Sequence, residues 1–265
     1  MIIIGERLNS SRRAVLEALC DRNAEYVLKE ARTQEQAGAD YIDVNAAAVL
    51  GKEVETLTWI IPLLQRELKV PLAVDTPNLD AMEAGLRLHK GPALLNSLTG
   101  ETARLQRFAP LIREHKPRVI VLCLDDEGVP ATSDKEVAIA RRMVDLLAKE
   151  GVASDDIFID PLVRPAGVDH RAVSLFLESL EKIKHDLPHI KTVAGISNVS
   201  FGLPQRRLLN RALLVLAMGR GLDAAIVDPL DKDILAERAA GRALLGHDPS
   251  FRDFLAFARR IRPPA

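Results

Sequence analysis

Residues 72–96 read LAVDTPNLDAMEAGLRLHKGPALLN, and this stretch shows the pattern that decides the fold. The apolar run Leu72-Ala73-Val74 ends in Asp75, an amphipathic stretch from Leu79 to Leu88 follows, and the next apolar run, Ala93-Leu94-Leu95, ends in Asn96. Short runs without polar alternation are typical of strands that helices cover on both faces of a parallel sheet. The segment therefore predicts a strand, a helix and a second strand parallel to the first.

The same unit repeats along the whole chain. Eight apolar runs predict strands at 1–4, 41–45, 72–75, 93–96, 119–123, 157–160, 192–198 and 224–228. The stretches between and after them predict helices at 22–38, 53–68, 79–88, 101–115, 134–150, 170–185, 208–219 and 231–245. Eight strand–helix units in about 250 residues indicate an α/β protein of the closed (β/α)8 TIM-barrel type. We predict one domain over 1–265, with a C-terminal helix from Pro249 that ends at Pro263-Pro264.

A doubly wound open sheet is the structural alternative to the barrel. Such a sheet usually begins with a glycine-rich phosphate loop, and Gly5-Glu6-Arg7-Leu8-Asn9 does not have that pattern. The barrel is therefore the favoured prediction.

The composition excludes several classes of protein. The 36 Lys and Arg residues nearly balance the 37 Asp and Glu residues, which argues against a nucleic-acid partner. No run approaches the roughly 18 to 20 apolar residues that cross a bilayer, and the first residues lack the features of a signal peptide. Cys20 and Cys123 form neither a disulfide framework nor a zinc pattern. We expect a cytoplasmic protein without membrane or nucleic-acid contacts.

Polar residues end the predicted strands, where barrel enzymes place their active sites. They are carboxylates and carboxamides: Glu6, Asn45, Asp75, Asn96, Asp125, Asp160, Asn198 and Asp228. The six histidines fall in predicted helices or their flanking loops and are interpreted as solvated surface residues, so we expect no bound metal.

Amides and carboxylates at a barrel mouth suit an uncharged heteroaromatic ligand with alternating donors and acceptors, such as a pterin or a purine. Each residue also has a purely structural interpretation. Asp75 before Thr76-Pro77 suits a helix cap, Asp160 before a proline suits a turn, and Asn96-Ser97 suits an ordinary turn at a strand end. Only their shared position at one rim supports a binding site.

Several motifs in order carry a resemblance to a known family. They are Gly5-Glu6-Arg7-Leu8-Asn9, Asp43-Val44-Asn45, Asp75-Thr76, Leu95-Asn96-Ser97, Ile159-Asp160-Pro161-Leu162, Gly195-Ile196-Ser197-Asn198-Val199-Ser200-Phe201-Gly202-Leu203-Pro204, Leu208-Leu209-Asn210-Arg211 and Gly221-Leu222-Asp223-Ala224-Ala225-Ile226. Over about residues 1–245 the chain resembles the pterin-binding methyltransferases that move a methyl group from methyltetrahydrofolate to a corrinoid. These include the methyltetrahydrofolate:corrinoid/iron-sulfur protein methyltransferases and the folate domain of cobalamin-dependent methionine synthase.

The resemblance implies roles for individual residues. Asp75, Asn96 and Asp160 would hydrogen-bond the pterin ring, and Asn198 would approach N5, the nitrogen that carries the methyl group. Arg206 matches a basic residue next to the substrate. Asn198 and Asp160 are the predicted catalytic residues, the first as a hydrogen-bond donor to N5 and the second as a proton relay through water.

The resemblance also implies a partner and an assembly. The family is usually homodimeric, binds methyltetrahydrofolate or tetrahydrofolate as substrate, and has no metal of its own. Glu6 and Asn45 share the predicted rim and are further candidate substrate contacts. The cobalamin-binding pattern Asp-x-His-x-x-Gly is absent, so the corrinoid is expected on a separate protein, of which a corrinoid/iron-sulfur protein is one example. Phe201 stands where the iron-sulfur branch has Gln and is more like the methionine synthase branch.

Two other functions remain open. Dihydropteroate synthase is also a pterin-binding barrel, but its pyrophosphate leaving group calls for Lys or Arg at the rim, and the strand ends are acidic or amide. A non-catalytic folate-binding subunit would keep the pterin pocket without methyl transfer.

Overall fold

The computed structural model describes residues 1–261, and its eight parallel strands close into a barrel in sequence order. The strands are β1 (Ile2–Asn9), β2 (Tyr41–Asn45), β3 (Leu72–Asp75), β4 (Leu94–Thr99), β5 (Arg118–Leu122), β6 (Ile157–Asp160), β7 (Lys191–Gly195) and β8 (Ala224–Val227). The barrel closes where β1 pairs with β8, Ile2 opposite Ala224. The predicted TIM barrel is confirmed.

Helices surround the barrel. They are α1 (Arg13–Cys20), α2 (Ala24–Gln36), α3 (Glu53–Gln65), α4 (Leu79–Leu88), α5 (Thr102–His115), α6 (Ser133–Lys149), α7 (Ala172–Asp186), α8 (Arg206–Met218), α9 (Lys232–Leu244) and α10 (Arg252–Ile261). No helix within residues 1–261 is long and apolar enough to cross a membrane.

The structure departs from the predicted elements in several places, and β1, predicted over 1–4, continues to Asn9. The short helix α1 was not predicted, because it has only eight residues, is separated from β1 by three residues and has no capping side chain. The strand predicted over 192–198 ends at Gly195, and a 3₁₀ helix, Ile196–Ser200, follows it. The C-terminal helix begins with a separate 3₁₀ turn, Pro249–Phe251, before α10. Its predicted end at Pro263-Pro264 lies outside the described residues.

Side-chain caps fix the starts of several helices. The side chain of Asn78 accepts hydrogen bonds from the first amides of α4, and that of Asp231 does the same for α9. Asn23 and Thr132 cap α2 and α6 in the same way. Such caps satisfy amides that have no partner within the helix.

A layer of eight side chains, one from each strand, fills the barrel interior. These are Ile4, Tyr41, Ala73, Leu94, Ile120, Phe158, Val193 and Ala224. A second, larger core lies between the strands and the helices. Because side chains alternate between the two faces of a strand, the residues two positions further along also point inward. They form the next layer towards the C-terminal ends of the strands.

Gly5 allows β1 and α2 to pack closely. A side chain at this position would overlap Oε1 of Gln34, which is buried on α2 and accepts a hydrogen bond from the backbone N–H of Arg7 at 3.1 Å. The glycine of the first motif therefore serves the packing of the barrel.

Candidate active site

The inward layer above the barrel core forms the floor of a cavity of about 750 Å³ at the C-terminal ends of the strands. Each strand contributes one residue to this floor: Glu6, Asp43, Asp75, Asn96, Leu122, Asp160, Gly195 and Ile226. The inward layer two residues earlier on each strand is apolar, whereas this layer is mostly polar. This change separates the structural core from the candidate site.

A chain of hydrogen bonds links one side of the floor. Nδ2 of Asn96 donates to Oδ1 of Asp43 at 2.9 Å, and Asp43 is hydrogen-bonded in turn to Asp75. Nδ2 of Asn45 donates to Oδ2 of Asp75 at 2.9 Å, and Oδ1 of Asn45 accepts from the hydroxyl of Ser10 at 2.9 Å. Because its amino group is bound to Asp43, Asn96 is left with its carbonyl oxygen Oδ1 as an acceptor for a ligand.

The pKa values of the two carboxyl groups in this chain of hydrogen bonds are both raised. Burial, and next the charge of Asp75, raise the pKa of Asp43 well above its usual value. Burial also raises the pKa of Asp75 to about 6, although hydrogen bonds from Asn45 and Asp43 act in the opposite direction. Two carboxyl groups in contact cannot both ionise cheaply. Of the two groups, Asp43 therefore holds a proton more tightly, and Asp75 ionises first.

Two further acids stand apart from this pair. Burial raises the pKa of Asp160 to about 7, against the effect of the hydrogen bond that the N–H of Leu162 donates to its Oδ1 at 2.8 Å. Burial raises the pKa of Glu6 to about 6, and the hydroxyl of Ser197, which donates to Glu6 at 2.9 Å, opposes that rise. Both groups can change protonation state near neutral pH, which suits proton transfer.

Asn198 lies on the 3₁₀ helix that follows β7, at the edge of the cavity. Its side chain is exposed and makes no hydrogen bond within residues 1–261. A Cβ placed on Gly195 would lie 2.9 Å from its Nδ2, so the absence of a side chain at Gly195 gives the amide its space above the floor. The amide is therefore available to a ligand.

Three arginines line the mouth of the cavity, Arg12 before α1 and Arg206 and Arg207 at the start of α8. Arg206 is held by two hydrogen bonds, from Nε to Oγ of Ser200 at 3.0 Å and from Nη2 to the carbonyl of Ser197 at 2.9 Å. The interpretation of the rim as almost wholly acidic or amide was incomplete, because these arginines come from loops and a helix start rather than from strand ends.

Most of the residues predicted for the site come together in the cavity. Glu6, Asp75, Asn96, Asp160, Asn198 and Arg206 all line it. Asn45 lies one step higher on β2 and reaches the floor only through its hydrogen bond to Asp75.

Two other predicted strand-end acids are bound elsewhere. Asp125 forms ion pairs with Lys135 and Arg142 and does not line the cavity. Asp228 does line the cavity, but its carboxylate forms an ion pair with Arg7 at 2.8 Å.

Asp43 is the floor residue that sequence reasoning missed. It sits inside β2 rather than at its end, so the search for polar strand ends passed over it. The alternation of Tyr41, Asp43 and Asn45, all facing inward, was the signal that could have found it.

The histidine interpretation was wrong for His89. This residue directly follows α4 and is buried. Its Nε2 accepts a hydrogen bond from the N–H of Leu72 at 3.1 Å, and its Nδ1 lies 3.0 Å from the carbonyl oxygen of Gly91. Burial lowers the pKa of His89, so it serves as a neutral packing residue. In the part of the chain that the structure describes, no three His, Cys, Asp or Glu side chains are grouped to hold a metal ion.

Comparison with known proteins assigns the chain to a family. The sequence profile of the pterin-binding enzymes matches residues 5–228. The chain belongs to the pterin-binding enzyme family. Within this family it is 34% identical over 256 residues to the methylcorrinoid:tetrahydrofolate methyltransferase of Eubacterium limosum, a match that spans 96% of this chain and 94% of that enzyme. It is 29% identical over 240 residues to the methionine synthase of Mycobacterium tuberculosis, of which it spans 20%.

Solved structures of pterin-binding enzymes share the fold. A dihydropteroate synthase from Clostridium difficile in the presence of pteroic acid superposes with a TM-score of 0.70 at 20% identity, covering 92% of this chain and 96% of that one. The dihydropteroate synthase of Yersinia pestis with a pterine–sulfa conjugate gives 0.69 at 16% identity, covering 93% of each chain. Identities this low establish the common barrel alone.

Proposed function

We propose that this pterin-binding enzyme is a methyltransferase that moves the N5 methyl group between methyltetrahydrofolate and the cobalt of a corrinoid on a separate protein. The main observation behind the proposal is the buried cavity floor, whose side chains can form hydrogen bonds to a ligand. The chain is also 34% identical, over 96% of its length, to a methylcorrinoid:tetrahydrofolate methyltransferase. The name of that relative puts tetrahydrofolate on the receiving side. The same contacts serve transfer in either direction.

Asp75, Asn96 and Asp160 are proposed to bind the pterin ring. A pterin presents an amino group and ring N–H groups along one edge, and the floor presents acceptors: the charged Asp75 and the carbonyl oxygen of Asn96. Asp43, which holds both of these residues, and Asn45, which donates to Asp75, would position this edge.

Asn198 is proposed to act on the reacting nitrogen. The C–N5 bond breaks with its electron pair remaining on N5, and an amide N–H from Asn198 would stabilise the charge that develops there. An amide does not titrate near neutral pH, so the proton that N5 gains must come through water, and Asp160, with a pKa of about 7, is the proposed relay. Glu6 and Arg206 complete the proposed substrate site on the neighbouring β1 and α8.

The corrinoid supplies the nucleophilic cobalt, so the chain needs no nucleophile of its own. The partner must bring this cobalt to the open end of the cavity. We propose that it docks on the loops at the C-terminal ends of the strands, including 125–128 and 164–167. Phe201, which is 69% exposed and lines the cavity, is a further candidate contact.

We further propose that residues 1–265 form one domain and that the protein is a cytoplasmic homodimer without a resident metal. Exposed apolar side chains along α8, Leu208, Val215 and Leu216, support a subunit contact, and two free cysteines suit a reducing compartment. Sedimentation of the wild type and of Leu216→Glu tests the dimer, and elemental analysis of the purified protein tests the metal content.

The methyl-transfer test compares wild type, Asn198→Ala and Asn9→Ala. Purified protein is mixed with methyltetrahydrofolate and free cob(I)alamin, and loss of the cobalt(I) absorbance is followed. Removing a transition-state donor typically costs about 10²–10³ in rate, so Asn198→Ala should lose that much. Asn9 also lines the cavity, from β1, and is the matched control whose substitution should leave the rate near wild type.

The result also separates the alternatives. Tight binding of methyltetrahydrofolate without transfer to cobalamin or to any corrinoid protein would indicate a binding subunit. The arginines at the mouth remove the charge argument against a pyrophosphate-dependent condensation, so dihydropteroate synthesis is assayed in parallel. Activity there and none with cob(I)alamin would overturn the proposal.

A further inference from the structure

Strand β4 has an irregularity directly after the floor residue Asn96. Asn96 lies opposite Ile120 of β5 and Leu98 lies opposite Val121, so the pairing of the two strands skips Ser97. An extra residue of this kind is a β-bulge, and bulges beside active sites turn a side chain in a particular direction. The direction of Asn96 therefore depends on how Ser97 is held.

A single arginine on α5 holds this bulge together with the end of the neighbouring strand. Nη2 of Arg104 donates to the carbonyl oxygen of Ser97 at 3.0 Å, and Nη1 donates to the carbonyl oxygen of Pro77, also at 3.0 Å. Ser97 is one residue after Asn96, and Pro77 is two residues after Asp75. The guanidinium therefore joins the segments that follow the two floor residues proposed as acceptors for the pterin.

The hydrogen bonds between the backbones of β3 and β4 end close to this arginine. The N–H of Thr76 donates to the carbonyl oxygen of Asn96 at 3.0 Å, just beyond the pair formed by Asp75 and Asn96. After Thr76 the chain turns away into the loop that leads to α4. Arg104 thus supplies a further link between the two strand ends where the sheet itself no longer connects them.

Arg104 is fixed in place without an acidic partner. Its guanidinium carbon lies 4.8 Å from the centroid of the buried Phe108 ring, one turn further along α5. Within residues 1–261 it forms no ion pair, and its buried Nε has no hydrogen-bond partner. Burial lowers the pKa of Arg104, although the charge of Glu101 acts in the opposite direction. Sequences accept such unfavourable contacts mainly at functional sites, which favours a role in the site over a role in stability.

We propose that Arg104 is a positioning residue for pterin binding, which holds the ends of β3 and β4 so that Asp75 and Asn96 can accept hydrogen bonds from the edge of the ring. This inference rests on the proposed function, which places the ring on the cavity floor. Arg104 does not line the cavity and acts through the backbone. Asn198 follows β7, on the opposite side of the barrel from β3, so Arg104 should affect binding of the ring rather than methyl transfer.

The size of the effect follows from what remains when the guanidinium is lost. Misplacing a positioned group by about 1 Å can cost 10²-fold, and the hydrogen bond of Thr76 remains, so Arg104→Gln should weaken binding of methyltetrahydrofolate by about tenfold. The shorter Gln side chain has one amide group and cannot reach both carbonyls. Arg104→Lys keeps the charge but replaces two separate donors by one ammonium group, so its loss should be intermediate.

The test measures dissociation constants of the full chain by titration calorimetry, for methyltetrahydrofolate and for 6-methylpterin, which lacks the tail. The matched control is Arg107→Gln, because Arg107 is exposed on the same helix and does not line the cavity. We expect equal losses for the two ligands in Arg104→Gln and wild-type values in Arg107→Gln. The rate of transfer to cob(I)alamin at saturating folate should stay within about twofold of the wild type, since only binding is affected.

Each outcome has a distinct meaning. Unchanged dissociation constants in Arg104→Gln, even with a lower unfolding midpoint, would make the arginine a purely structural contact and overturn the inference. A lower kcat with unchanged binding, or a loss confined to methyltetrahydrofolate, would also overturn it. If Arg104→Gln does not fold, the same measurements on Arg104→Lys decide. Failure of the wild type to bind either ligand would refute the proposed function, and this inference with it.

Discussion

Gly195→Ala is expected to slow methyl transfer by displacing Asn198. The added Cβ would lie 2.9 Å from Nδ2 of Asn198 and 3.6 Å from its Cγ. The backbone of Gly195, at φ −78° and ψ 90°, is extended and accessible to alanine. Within residues 1–261, and apart from its chain neighbours, the new methyl group thus has only the proposed catalytic amide close to it.

The size of the effect follows from the geometry. Carbon and nitrogen atoms in ordinary contact lie about 3.5 Å apart, so the amide must move by roughly half an ångström. Because Asn198 is exposed and at the end of its own side chain, it can move without disturbing the fold. Misplacing a reacting group by about 1 Å can cost 10²-fold, so half of that displacement should cost about tenfold in rate. The thermal midpoint should change little.

The cobalt(I) absorbance assay measures kcat and KM for the wild type, Gly195→Ala, Asn198→Ala and the double variant. If the glycine acts through Asn198, the double variant should be no slower than Asn198→Ala alone, since the interaction is already lost. A further tenfold loss in the double variant would refute the reasoning. A raised KM with unchanged kcat would also refute it, because the methyl group would then be taking space from the pterin.

Three further variants test the electrostatics and packing. Asp160→Asn should weaken pterin binding yet stabilise the free protein at pH 8. The pKa of Asp160 is about 7 in the folded chain against an ordinary 3.8, so the wild type loses at most about 4 kcal/mol of folding stability as pH rises from 4 to 7. Equal unfolding midpoints of the two proteins at pH 8 would contradict this. Glu136→Gln is the matched variant outside the cavity, because Glu136 is also buried and burial raises its pKa to about 8. Urea unfolding should show that the variant is more stable than the wild type, by an amount that grows between pH 5 and 8, while methyl transfer is unchanged. Gly5→Ala should destabilise the protein by about 1–3 kcal/mol, because the added methyl group would overlap Gln34. An unchanged urea midpoint would show that α2 can shift to make room for it.

The barrel could be predicted from the sequence because its strands are buried on both faces. Each one contains a short apolar run, and several end in a polar residue, as at Leu72 to Asp75. This signal can be read without knowing how neighbouring strands are aligned. Helix α1 escaped prediction because it is only eight residues long and lacks a capping side chain. A short helix of this kind is held by packing rather than by its own sequence.

The site was less predictable than the fold. Asp43 required knowing which face of β2 points inward, and Arg12 required knowing how the loop after β1 folds back over the mouth. The raised pKa of Asp160 arises from burial, which depends on the whole barrel. A strand pattern gives the layer in which a residue lies, whereas charge and protonation follow only from the packed structure.

The acidic floor is costly for folding and informative about the ligand. Burial raises the pKa values of Glu6, Asp43, Asp75 and Asp160, so each acid is less stable in its charged form here than in water. Hydrogen bonds from a ligand to Asp75 or Asp160 would stabilise the charged forms and recover part of that cost. A ligand that only accepts hydrogen bonds would add to the cost instead. The floor therefore favours a ring with an N–H edge, such as that of a pterin.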